Sequence, residues 1–251
     1  MRTLKTKLVL LALYATCCAG QVASTNRAPT QPQVNTTRGG GFKGRVVTAW
    51  NDDGRTMTLL EDFSYTDPDR LEWKAPKGSV TDGASIPQSA WSIMGGPFEG
   101  PYRLAAVIHD AACVRKDRSW EATHLVFYQA MLTAHVDSVK AKIMYAAVYH
   151  FGPRWTLTAS VNKRKGDATD AILQSLQLQT GSTNSKIQLE THSIDENLST
   201  QQLEVSFIPP ADSLRTNDFD DLRKFIEETE ATSPGSVTLE QIRNFRSIEP
   251  R

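Results

Sequence analysis

A short run of residues raises the chemical question first. Residues 104–113 read LAAVIHDAAC, apolar on almost every side of a helix, yet with His109 and Asp110 at the centre. Burying ionisable groups is costly unless they are paired, hydrogen-bonded or bound to a metal. On a helix i and i+4 share a face, so Cys113 stands beside His109, and Asp110 is turned about 100° away. His124 falls in the next predicted helix, in a stripe with Trp120, Phe127 and Met131, where an antiparallel return brings it toward His109. Asp82 is the acid on the loop VTDGASIPQSAW that precedes these helices. Nitrogen, sulfur and oxygen ligands of this kind suit zinc. Asp82, His109, Asp110 and His124 are therefore the candidate metal ligands, and His109 with Asp110 the candidate catalytic pair, His109 as base or ligand. The spacing matches no closed zinc motif. A hydrogen-bonded pair tying the helix to the DGASIP loop explains the same residues without any ligand, and Asp82 before Gly83 also suits an Asx-turn.

Other side chains have plainer explanations. Cys113 on an apolar face reads as a small hydrophobe. His135 and His150 sit near predicted helix C-termini, where the macrodipole favours them. Ser85 lies in GASIP, which is not the G-x-S-x-G of a nucleophile elbow.

The elements that must position the pair are legible. GRVVTAW, TMTLLEDFSYT and LEWKAP read as strands, joined by turns at DDG (52–54) and TDPDR (66–70), in a small antiparallel meander. Three helices follow: one led by Pro101 and running to about Arg115, one capped by Ser119, and one capped by Asp137 and stopped by Gly152 and Pro153. Strands first and helices second predict an α+β domain over 42–166. Residues 167–211 are rich in Gln, Ser and Thr and predict no regular structure. Short amphipathic helices are expected near 217–230 and 238–245, the second with a Thr238–Gln241 capping box.

The N-terminus reads as a secretory signal over 1–20. Arg2, Lys5 and Lys7 precede LVLLALYA, and small residues follow in TCCAG. That run is shorter than the ~20 residues a spanning helix needs, and no other stretch qualifies. The expectation is a secreted or periplasmic protein, with a lipid anchor through Cys17 or Cys18 as the alternative. Residues 21–41 read as a flexible leader. After cleavage Cys113 is the only cysteine, so no intramolecular disulfide forms. Residues 21–166 carry 18 Lys+Arg against 13 Asp+Glu, and residues 167–251 carry 7 against 15. This is a mildly basic domain with an acidic tail. The basic excess is too small, and too poor in interleaved aromatics, for nucleic acid.

DGASIP followed by Trp91, then AAVIHD, FYQAM, and MYAAV ending in FG and Trp155, resemble over residues 42–155 the uncharacterised family numbered 1353 among domains of unknown function, found in bacteria and their phages. One residue departs from its pattern. Where the family's second helix usually has Asp, three residues before the Phe, this chain has His124. The family arrangement is also similar to secreted calcium-dependent phospholipases. There the His of the pair activates water, its Asp binds calcium with loop carbonyls, and an Asp on the second helix orients the His. By that resemblance the metal would be calcium, with Gly95 and Gly96 furnishing the loop; the two flanking cysteines of those enzymes are absent.

Three functions remain open at this level. The first is an exported, metal-assisted hydrolase of an envelope component. The second is a non-catalytic binding or assembly module with a structural His-Asp pair. The third is a regulator whose acidic tail helices dock a partner or cover the domain's own cleft.

Overall fold

In a computed structural model, residues 40–83, 98–164, 167–182, 185–192, 200–209, 214 and 216–246 are described. The segment read as a signal peptide, nearly all of the segment read as a leader, Gly95, Gly96 and most of the DGASIP loop lie outside them. Six short strands come first: β1 (Gly41–Lys43), β2 (Thr48–Trp50), β3 (Met57–Leu59), β4 (Phe63–Thr66), β5 (Glu72–Ala75) and β6 (Val80–Thr81). Both predicted turns are present. Asp53 closes the first by accepting the N–H groups of Arg55 and Thr56 at 2.9 Å each. In the second, Asp67 accepts from Leu71 N–H and from the Trp73 indole.

The strands pair as two three-stranded antiparallel sheets, β1-β4-β5 and β2-β3-β6, where the sequence predicts one meander. TMTLLEDFSYT breaks at residues 60–62, so that its two halves, β3 and β4, join different sheets. The crossing is tight. Gly44, at φ +92°, lies so close to Asp62 that a Cβ would stand 2.7 Å from its carbonyl oxygen.

Three helices follow, as predicted: α1 (Arg103–Arg115), α2 (Trp120–Thr133) and α3 (Ser138–Phe151). The Ser119 hydroxyl accepts Ala122 N–H at 3.1 Å and Asp137 accepts Lys140 N–H at 3.0 Å. Each cap satisfies an end donor that the helix cannot. All three helices pack into one core with Phe63, Tyr65 and Trp73 of the first sheet.

The stretch after 166 is the main difference from expectation. β7 (Leu157–Arg164) comes before that boundary, and over 167–211, where the sequence predicts no regular structure, it is followed by α4 (Thr169–Thr180), β8 (Lys186–His192) and β9 (Thr200–Ile208). The strands form a third antiparallel sheet, in the order β7-β9-β8. The reason lies in the alternation. In β9, Leu203, Val205 and Phe207 are buried against Leu176 of α4, and Glu204 and Ser206 between them, with Gln201 and Gln202 before them, lower the apparent hydrophobicity.

α5 (Thr216–Thr232) and α6 (Leu239–Arg243) occupy the two helical positions expected, and the Thr238–Gln241 capping box forms. They join the main core through Phe219, Leu222, Ile226, Val237 and Ile242. The acidic C-terminal segment therefore supplies part of the packing around α3, beyond the boundary at 166 expected from the sequence.

Candidate functional site: a buried His-His-Asp network

His109 and His124 are fully buried, and Asp110 keeps only 6% of its surface. The packing of α1 on α2 brings the two imidazoles together, their planes tilted by 36°, with His109 Nε2 2.9 Å from His124 Nδ1. The other nitrogen of His124, Nε2, lies 3.2 Å from the Pro153 carbonyl. A carbonyl can only accept, so His124 carries its proton on Nε2 and presents a bare Nδ1. His109 must then be the donor through Nε2–H. One backbone carbonyl, two residues past the end of α3, thus fixes the proton arrangement of the pair.

The remaining nitrogen of His109, Nδ1, lies 3.7 Å from Asp110 Oδ1, and Cys113 Sγ lies alongside the ring, 3.9 Å from Nδ1 and 3.6 Å from Nε2. Burial opposes a charge on His109, but Cys113 and then Asp110 outweigh it and raise the imidazole pKa to about 10. His124 is pushed the other way, well below the usual histidine value, by burial and then by the charge on His109. The two shifts agree with the geometry: a charged His109 donates to a neutral His124.

Asp110 is fixed from the strand side. Its Oδ2 accepts the Thr81 hydroxyl at 2.6 Å and Asp82 N–H at 3.2 Å. The residue pair on α1 is thereby tied to the start of the VTDG loop through β6.

Of the four predicted metal ligands, His109, Asp110 and His124 come together. Asp82 meets them through its backbone N–H, and its carboxylate lies 4.0 Å from Arg55 on the exposed side. Among the described residues no three His, Cys, Asp or Glu side chains converge on a point that would hold an ion. Sequence reasoning missed Thr81 and the carbonyl of Pro153. The first is an ordinary hydroxyl beside a more conspicuous Asp. The second is a backbone group that sequence chemistry cannot single out.

The comparisons bear on the same segment. Residues 57–148 match the family described as protein of unknown function, DUF1353. This is the family that the motifs resemble. Two relatives are similar: the uncharacterized protein y4jT of Sinorhizobium fredii (strain NBRC 101917 / NGR234), 48% identical over 121 residues, covering 48% of this chain and 35% of the relative; and the uncharacterized protein y4iH of the same strain, 46% identical over 103 residues, covering 41% and 43%. The chain thus spans less than half the length of these relatives. No solved structure matches it.

The matched segment holds β3 through most of α3, and so all of the network except Pro153. A neutral imidazole with Nε2–H committed to Pro153 presents the same kind of lone pair to His109 as a carboxylate would.

Proposed function

We propose that this is an exported hydrolase of an ester or amide in an envelope component, with His109 as its general base. The observation that supports this reading is the hydrogen bond from His109 Nε2–H to His124 Nδ1, with the tautomer set by Pro153. A base must be held in one tautomer and orientation with its second nitrogen directed at the reacting proton. Here Nδ1 takes a proton from water as the oxygen attacks the carbonyl, then returns it to the departing alcohol or amine. His124 accepts from Nε2–H throughout and steadies the charge that forms on His109. The described side chains do not by themselves complete a metal site, so no step is assigned to an ion.

A specific observation also favours a second reading. Both imidazoles are fully buried and Asp110 is bonded to Thr81 and Asp82, which is what a purely structural tie between α1, α2 and β6 requires. In that case the protein is a non-catalytic binding or assembly module.

The test uses the full chain after removal of residues 1–20, with phospholipid vesicles and a short-chain nitrophenyl ester, in calcium, in zinc and in chelator. Hydrolysis should be lost in H109Q, retained in H124D, which restores an acceptor, and lost in H124F. Because His109 rests protonated, activity should climb with pH toward 10. A folded wild type that hydrolyses neither substrate in any condition, or an H109Q variant as active as wild type, rejects the hydrolase in favour of the structural tie.

A further inference from the structure

We infer that the cavity between β5 and the α1–α2 turn is an oxyanion-binding site organised by Arg118, fitted to a phosphate or carboxylate group. It lies outside the His109 network and does not depend on the reading of that network. The cavity has a volume of about 360 Å³, and its charged lining is Lys74, Arg115 and Arg118 against Glu72 and Asp117. The two acids are committed. Glu72 takes Lys74 at 3.2 Å and the Ser64 hydroxyl at 3.1 Å, and Asp117 pairs with Arg115.

Arg118 is left over. No carboxylate lies within ion-pair distance of it among the described residues, and its Nη2 reaches only the Glu72 carbonyl, at 3.4 Å. Its Nη1 is buried and has no hydrogen-bond partner among them. A donor in that state is costly unless something else supplies the acceptor.

The guanidinium is also held in place before any ligand arrives. It stacks on Trp73, 4.3 Å from the ring centre, and that indole is anchored by its N–H to Asp67 Oδ2 at 2.9 Å. The Arg118 backbone is pinned as well, its carbonyl accepting the Trp155 indole N–H at 2.8 Å. A fixed, stacked, uncompensated guanidinium at a cavity wall suits a planar, two-oxygen contact with phosphate or carboxylate.

Calorimetric titration of the full mature chain at low ionic strength tests this, with inorganic phosphate and acetate as separate probes. We expect saturable binding of at least one probe, weakened by salt and reduced at least about tenfold in R118Q. R118K should fall between the two, since an ammonium keeps the charge and loses the fork. R45Q removes an exposed guanidinium that pairs with Glu61 at 3.7 Å, and should leave binding unchanged. Preference for phosphate or for acetate identifies the ligand class. Should R118Q fail to fold, R118K against R45Q makes the same comparison. Absence of saturable binding with both probes, or equal losses in the Arg118 and Arg45 variants, overturns the assignment.

Discussion

Lys142 of α3 and Glu230 of α5, 88 positions apart, meet in a buried ion pair with Nζ 2.6 Å from Oε1. Glu230 also accepts Gly235 N–H at 2.6 Å and Val237 N–H at 2.9 Å, so one carboxylate fastens α5, the turn after it and α3. Replacing one partner strands a charge in the core. Lys142→Met should therefore destabilise the protein by about 3–5 kcal/mol, and adding Glu230→Gln should return part of that loss. Urea unfolding of the two variants measures both effects. A Lys142→Met variant within about 1 kcal/mol of wild type would show that the pair holds nothing.

Acid should loosen the same junction. His150 of α3 donates Nε2–H to the Ile242 carbonyl of α6 at 2.8 Å. Burial, with Arg154 and Arg246 adding to it, lowers the imidazole pKa to about 4. The unfolded chain takes up that proton near pH 6.5, so stability is complete above 6.5 and declines as pH falls to about 4, by on the order of 3 kcal/mol. Glu230 acts lower down. Lys142 and then Gly235 N–H hold its pKa to about 2, and its contribution, full above pH 4.5, disappears as pH falls to 2. Urea midpoints from pH 7 to 4 should fall in wild type and stay flatter in His150→Gln.

The His109 network carries the opposite sign. Its folded pKa of about 10 lies above the unfolded value of 6.5, so its contribution is complete below pH 6.5 and is lost as pH rises through 10. Nitrogen NMR at pH 7 should find one doubly protonated imidazole, His109, beside one singly protonated on Nε2, His124. Two imidazoles titrating together near pH 6.5 would contradict the arrangement.

Gly152 holds His124 and the end of α3 together. A Cβ there would sit 2.3 Å from the Val148 carbonyl and 3.1 Å from His124 Cε1. Gly152→Ala should cost about 1–3 kcal/mol by overpacking and disturb the His124–Pro153 bond. Thermal unfolding reads the first effect, and the His124 nitrogen spectrum reads the second.

Local chemistry was legible in the sequence. The caps at Ser119, Asp137 and Thr238, the turns at Asp53 and Asp67, and the stop at Gly152 and Pro153 depend on neighbours within a few residues, and each forms where its residues stand. The burial of His109 and Asp110 was visible for the same reason, because the apolar run around them leaves no solvent face. The sequence also brought His124 and Cys113 toward His109, since helical periodicity and a short antiparallel return constrain both.

What Asp110 and His124 bond to was decided elsewhere. Thr81 and the Pro153 carbonyl are each 29 positions from the group they meet, and a pairing at that distance is set by how whole elements pack. The division of β3 and β4 between two sheets, the third sheet and the seating of α5 on α3 are of the same kind. A half-polar strand such as β9, or an acidic helix such as α5, has only one face that favours burial. The tertiary structure alone determines which surface that face meets.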